Sequence, residues 1–352
     1  MMALNDLVPE NYCFSWRFGF AMASLCAGLS VVGCGSNTPN LLPVVPPATA
    51  ASSNVPSGPI LGYVFTASDG TLRAVLGVRG SARVSASIVP AGVYVAGDAS
   101  TASSAGLLED EAGSLFAFNL PQSQPIHVAD GLISRVQIAF SASGETAIAY
   151  GAGSSSVTLV TGLPGSPVAQ KIPVPSAAQV VSGVVSDKGT VVLVMQGASV
   201  AVGTLSANGG FSKFASPSAV PGLNFLPGAD DLLIADGGAN AVSLIRNVSS
   251  SPASQVLTVA GLNKPVAIAA SKDRKWAGVV NGGDSNILRV DLASGTAVSK
   301  VVCDCKATQL SSLAGNGLFR VNPLGTGPLW TVDLAGVTPE LLFVPAIGKT
   351  TP

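Results

Sequence analysis

The stretch from Val136 to Val174 sets what this chain can fold into. It runs VQIAF, a polar SASG, AIAY, a Gly-Ser turn, SVTLV, a Gly-Pro loop and AQKIPV. Those are four short β-type runs in about 40 residues, each closed by Gly, Pro or Ser, and no helical period joins them. One such unit cannot bury its own apolar faces, so it must stack against copies of itself.

The copies are present. Third runs of the unit read PILGYVF from Pro59, SLFAFNL from Ser114, SVTLV from Ser156 and SVAVGTL from Ser199, then AVSLIRNV from Ala241, NILRVDL from Asn286 and PLWTVDL from Pro328. The Gly residues opening them (Gly58, Gly113, Gly153, Gly197, Gly238, Gly283 and Gly325) are mostly 40 to 45 apart. Seven copies at that period predict an all-β chain, a β-propeller of four-stranded antiparallel sheets. Residues 61–78 supply only an outer pair, so the expectation is six complete blades and one reduced blade. The alternative is six blades with the first hairpin packed outside. The long interval, Asp98 to Gly113, reads as an inserted exposed loop. Small side chains suit this architecture, and the chain has 47% apolar but 5% aromatic residues.

A second register mark is the turn between the inner two runs: SASG at Ser141, SDKG at Ser186, LPGA at Leu226, SKDR at Ser271 and SLAG at Ser312. Apolar runs flank each of them. The pattern resembles the repeat of the YVTN/YncE-like and NHL propellers, in which a Ser-x-Asp-Gly type turn joins a blade's inner strands. The resemblance covers roughly residues 84–346 and implies a fold, since propellers host many unrelated activities.

The N-terminus reads as targeting sequence. Phe18 to Gly33 is an apolar run of 16 residues behind Arg17, shorter than the ~20 needed to span a bilayer. Its end, Val31-Val32-Gly33-Cys34, resembles a bacterial lipobox, which implies a signal peptide over 1–33 and lipidation at Cys34. Asn37 to Gly58 carries Pro39, Pro43, Pro46, Pro47 and Pro56 and no charge, as an extended tether would. The organisation expected is therefore lipidated Cys and tether over 34–58, propeller over 59–346 and a tail over 347–352. With Ser36 at the second place after Cys34 and no Asp beside it, the resemblance implies an outer-membrane lipoprotein, or at least an exported one. Net charge is −1 and becomes zero once Asp6, Glu10 and Arg17 are removed with the leader. Such a surface has no field to steer nucleic acid.

Candidate chemistry is sparse. The residues read as ending each second run are Asp98, Gly151, Gln196, Asp236, Asn281 and Asn322. As a ring on the loop-rich face, Asp98, Gln196, Asp236, Asn281 and Asn322 could hold a polar ligand or a divalent cation. The competing reading is turn chemistry, since Asp-Gly-Gly and Asn-Gly-Gly cap their own backbones. Glu109-Asp110-Glu111 reads as a solvated run, because neighbouring side chains diverge. His127 is the sole histidine, on an outer run, too far out for a triad and too isolated for zinc. Cys303 and Cys305 flank Asp304 and could form a small-ring disulfide. The function expected is a non-catalytic binding or scaffold module for a protein or glycan partner, held to the cell envelope by lipid, with no cofactor. The alternative is a metal-dependent, lactonase-like hydrolase using the polar ring.

Overall fold

The computed structural model describes residues 56–346 other than 122, 123, 134, 177 and 326. The leader, Cys34, nearly all of the tether and the tail over 347–352 lie outside the described residues.

Seven antiparallel sheets follow one another along the chain. Blade 1 has three strands, β1 (Ile60–Thr66), β2 (Thr71–Val78) and β3 (Ser81–Ser87). Blade 2 has β4 (Tyr94–Ser100), β5 (Ala105–Asp110), β6 (Leu115–Asn119) and β7 (Pro125–Ala129). Blade 3 has β8 (Gln137–Phe140), β9 (Thr146–Tyr150), β10 (Ser156–Thr161) and β11 (Val168–Pro173). Blade 4 has β12 (Gln179–Val185), β13 (Val191–Gln196), β14 (Val200–Leu205) and β15 (Phe211–Ala215). Blade 5 has β16 (Gly222–Phe225), β17 (Leu232–Asp236), β18 (Ala241–Arg246) and β19 (Ala253–Leu257). Blade 6 has β20 (Pro265–Ala270), β21 (Trp276–Asn281), β22 (Asn286–Asp291) and β23 (Thr296–Val302). Blade 7 has β24 (Ser311–Ser312), β25 (Leu318–Arg320), β26 (Leu329–Asp333) and β27 (Glu340–Val344).

The seven-bladed propeller is thus the fold, with the reduced blade first. Its strands differ from expectation in place. The turn after β1 meets the connection into blade 2, where Gly92 N–H donates to the Asp69 carbonyl across 2.9 Å. The start of β1 meets the inner turn of blade 7, where Ala314 N–H donates to the Leu61 carbonyl across 2.6 Å. β1 therefore runs in the direction of a second strand, and the strand missing from blade 1 is the innermost. Residues 61–78 supply a second and third strand, completed by β3, rather than the outermost pair.

The expected insertion is also corrected. Residues 98–110 are the end of the inner strand β4, a tight turn and the second strand β5. Their run of Gly, Ala, Ser and Thr looks like a loop, but inner strands converge on the axis and have room for little else. Gly222 shows the same crowding: a Cβ there would stand 2.8 Å from the Ala267 Cα of the next blade's inner strand.

Packing follows from the two-residue strand period. Along β13, Val191, Leu193 and Met195 face blade 3, while Val192 and Val194 face blade 5. Second strands are buried on both faces and so read as unbroken apolar runs. Each of the seven interfaces between blades holds one apolar cluster. The interface closing the ring is the thinnest, with Val64 and Val75 of blade 1 against Leu324, Leu329 and Val344 of blade 7.

Candidate functional site

The inner turns form one face of the disc, and they are stitched to each other by polar bonds. Of the register serines, Ser141, Ser186 and Ser271 are buried, while Ser312 is exposed. Ser186 Oγ accepts from the Thr190 amide at 3.1 Å and Ser271 Oγ from the Trp276 amide at 3.2 Å, closing their turns. Asp187 reaches both neighbours: it accepts from the Ser143 amide of blade 3 and the Gly228 amide of blade 5, each at 2.7 Å. Burial would raise its pKa, but those amides and the Ser143 and Ser141 hydroxyls hold the carboxyl below its ordinary range. Asn224 accepts from the Ala270 amide at 2.9 Å, and Asn316 from the Asp273 amide at 3.0 Å. Blades 3 to 7 are thus linked rim to rim.

Inside this rim lies a cavity of about 280 Å³ on the axis. Its wall takes residues from the inner strands of blades 2 to 6, from Ser311 to Leu313 in blade 7 and from Tyr63 of blade 1. Asp98 on β4 and Arg320 on β25 bring a carboxyl group and a guanidinium to that wall, with Lys272 at the mouth. Arg320 is there because blade 1 lacks its inner strand. Across the second-to-third strand pairing it lies opposite Thr331, just as Gly278 of blade 6 lies opposite Arg289, two residues before the Asp of each Val-Asp-Leu run. At Gly278 a Cβ would meet Leu334 Cδ1 at 2.7 Å and Leu310 Cδ1 at 3.2 Å, both from the following blade. Where the following blade has no inner strand, that space holds a guanidinium.

Arg320 is 9% exposed. Its Nη2 donates to Ser311 Oγ at 3.2 Å, while its Nε has no partner among the described residues. Burial pulls the Arg320 pKa down and the Asp98 charge opposes that. Burial pushes the Asp98 carboxyl up, with Arg320 and the Ala99 amide pulling it partly back. The two groups share the cavity without forming an ion pair among the described contacts.

The polar ring does not assemble as expected. Gln196, Asp236 and Asn281 do end second strands and Asn322 follows one, on the face opposite the inner turns, but Asp98 belongs to an inner strand. The true counterpart of Asp236 in blade 2 is Asp110, whose Oδ1 accepts from the amides of Ala112 (3.0 Å) and Ser114 (2.9 Å). Asp236 likewise accepts from Gly238 (3.0 Å), Ala239 (3.3 Å) and, through Oδ2, Ser218 (2.8 Å). Asn281 is buried and bonds the Asn263 amide, the Gly261 carbonyl and Asn286. Asn322 spans its own loop, from the Pro328 carbonyl to the Trp330 amide. Gln196 is exposed. Among the described residues no three His, Cys, Asp or Glu side chains converge as metal ligands.

Glu109 is fully buried in β5, not solvated, and its Oε2 accepts from the Val136 amide at 2.9 Å. His127 lies on the outer strand β7 and meets Asp130 at 2.8 Å on the surface. Cys303 is buried, and its sulfur meets that of Cys305 with the Cα atoms 5.1 Å apart. Arg320 carries no sequence signal of its own; it could have been noticed only by setting it against Gly278 in the repeat.

No protein-family model matches the chain, and no curated protein matches it in sequence. Solved structures do match in fold. A functionally unknown protein from Desulfotomaculum acetoxidans aligns with TM-score 0.58 at 16% identity, over 82% of this chain and all of the other. A protein from Lactobacillus plantarum aligns with TM-score 0.55 at 12% identity, over 81% and 96%. A catalytically inactive virginiamycin B lyase from Staphylococcus aureus, solved with quinupristin, aligns with TM-score 0.52 at 14% identity, over 73% and 85%. At these identities the likeness is one of fold.

Proposed function

We propose that this propeller is a non-catalytic binding module of the bacterial cell envelope, tethered through lipid on Cys34 and presenting its axial cavity to a protein or glycan partner. The observation that carries the reading is the buried, incompletely paired Arg320 in a polar axial cavity. Burying a cation short of partners costs several kcal/mol, on the order quoted for desolvated ions, and a preformed recognition site is what recovers that cost. Asp236, Asn281 and Asn322 spend their side-chain oxygens on backbone amides of their own or neighbouring loops, which disfavours the hydrolase that would need them for a metal. In the oxidising envelope Cys303 and Cys305 form a local disulfide.

The test is purification from envelope membranes of the full chain and of Cys34→Ala. The wild type is expected in the membrane fraction with a co-purifying partner, and the variant in the soluble fraction. A variant that stays membrane-bound after leader cleavage refutes the lipid anchor. Stoichiometric divalent metal with esterase or lactonase turnover refutes the non-catalytic reading.

A further inference from the structure

We infer that the axial cavity is a site for a hydroxylated carboxylate, a uronic acid residue, with Arg320 holding the carboxylate. The inference rests on the binding-module reading and names its ligand class.

Charge comes first. The cavity wall holds Arg320 and Lys272 against the single carboxylate of Asp98. Arg320 is nine-tenths buried, and its Nε lacks a partner among the described residues. A guanidinium offers its donors in a planar fork that matches a carboxylate. Ser311 Oγ takes Nη2 at 3.2 Å and Nε is sealed inside the wall, so Nη1, which makes no bond among the described residues, is the donor that remains for the ligand.

The rest of the wall suits a sugar ring. Ser100, Thr101 and Ser312 bring hydroxyl groups to it, and Asp98 adds a carboxyl group on the blade 2 side. Phe140 and Phe225 supply apolar surface. A few placed polar groups among apolar ones are how concave sites fix orientation. A cavity of about 280 Å³ takes a single monosaccharide ring or the end of a chain, not a folded partner.

The experiment is isothermal titration of the full chain with free glucuronate and galacturonate, with glucose and acetate as controls. One uronate is expected to bind at least tenfold more tightly than glucose, which lacks the carboxylate, and than acetate, which lacks the ring. Arg320→Gln is expected to weaken that binding by tenfold or more, and Arg320→Lys by less. Because Arg320 is buried, Ala142→Trp serves as a second variant. Ala142 is exposed at the cavity mouth, and an indole there closes the opening while the core is untouched. The inference is overturned if neither uronate binds, if acetate binds as well as the uronates, or if Ala142→Trp leaves binding unchanged. A partner that co-purifies equally with wild type and Ala142→Trp would leave the binding module standing and move its site elsewhere.

Discussion

The Arg79 guanidinium donates to the Asp333 carboxylate across 2.6 Å, joining residues 254 positions apart and linking the first blade to the last. Beside that ion pair lies the smallest apolar cluster of the ring, Val64, Val75, Leu324, Leu329 and Val344. Magnitudes decide which of the two holds the disc shut. The Arg79 side chain is 45% exposed, and pairs in that setting contribute about 0–1 kcal/mol. Truncating a fully buried Leu costs about 2–5 kcal/mol. Urea unfolding should therefore show a small loss for Arg79→Ala and a large one for Leu329→Ala. The reverse order would make closure electrostatic.

Inner strands should tolerate no added methyl where they touch. At Gly222 a Cβ meets Ala267 Cα at 2.8 Å and the Val266 carbonyl oxygen at 2.9 Å, both backbone atoms that cannot rotate away. Gly222→Ala is expected to cost about 1–3 kcal/mol, as overpacking does. At Gly165 a Cβ meets nothing within 4 Å. Gly165→Ala is expected to be neutral or to stabilise by about 0.4–1 kcal/mol through the unfolded chain. Denaturant midpoints of the pair check this, and equal effects would mean the blades do not approach as closely at the axis.

Period and turn chemistry made most of this architecture legible. Third strands from blade 2 onward and the serine turns follow from residue patterns that repeat whatever the neighbours are. What was not legible depended on place in the ring. Asp98 sits in Gly-Asp-Ala-Ser-Thr, which reads as a turn because axial crowding and turn formation select the same small residues. PILGYVF resembles the third runs in composition, and only its direction against blades 2 and 7 makes it a second strand. Glu109 looked solvated beside Asp110 and Glu111, yet successive strand residues face opposite ways, so one of three adjacent acids can be buried. Arg320 takes its meaning from a strand that its neighbour lacks, which no local window contains.

Glu109 should make the protein less stable as pH rises. Burial lifts its pKa above the ordinary carboxylate range, and the Val136 and Arg135 amides offset this in part. The folded state therefore holds this proton more tightly than the unfolded state. The resulting stability is fully present below the unfolded pKa and is lost as pH rises through the folded one. Replacing Glu109 with Gln removes the titration. The stability of wild type relative to Glu109→Gln should fall between pH 4 and pH 7, read from urea titrations. A difference that stays flat or rises would mean the amide bonds outweigh burial.

Asp187 should give the opposite slope. Burial works against its charge, but two amides at 2.7 Å and the neighbouring serines hold its pKa below the ordinary carboxylate range. A depressed folded pKa contributes stability above the unfolded value, and that stability is lost as pH falls through the folded one. Asp187→Asn keeps one acceptor but turns an NH2 group toward the second amide, a donor against a donor. At pH 7 the substitution should cost about 1–3 kcal/mol, the range for a buried group left unpaired. The cost should shrink below pH 4, where the wild-type carboxylate itself becomes protonated. Asp187 ties blade 4 to blades 3 and 5, so amide exchange in the turns at Ser143 and Gly228 should quicken together in the variant. Exchange that quickens in neither turn would mean that the apolar clusters alone hold these three blades in register.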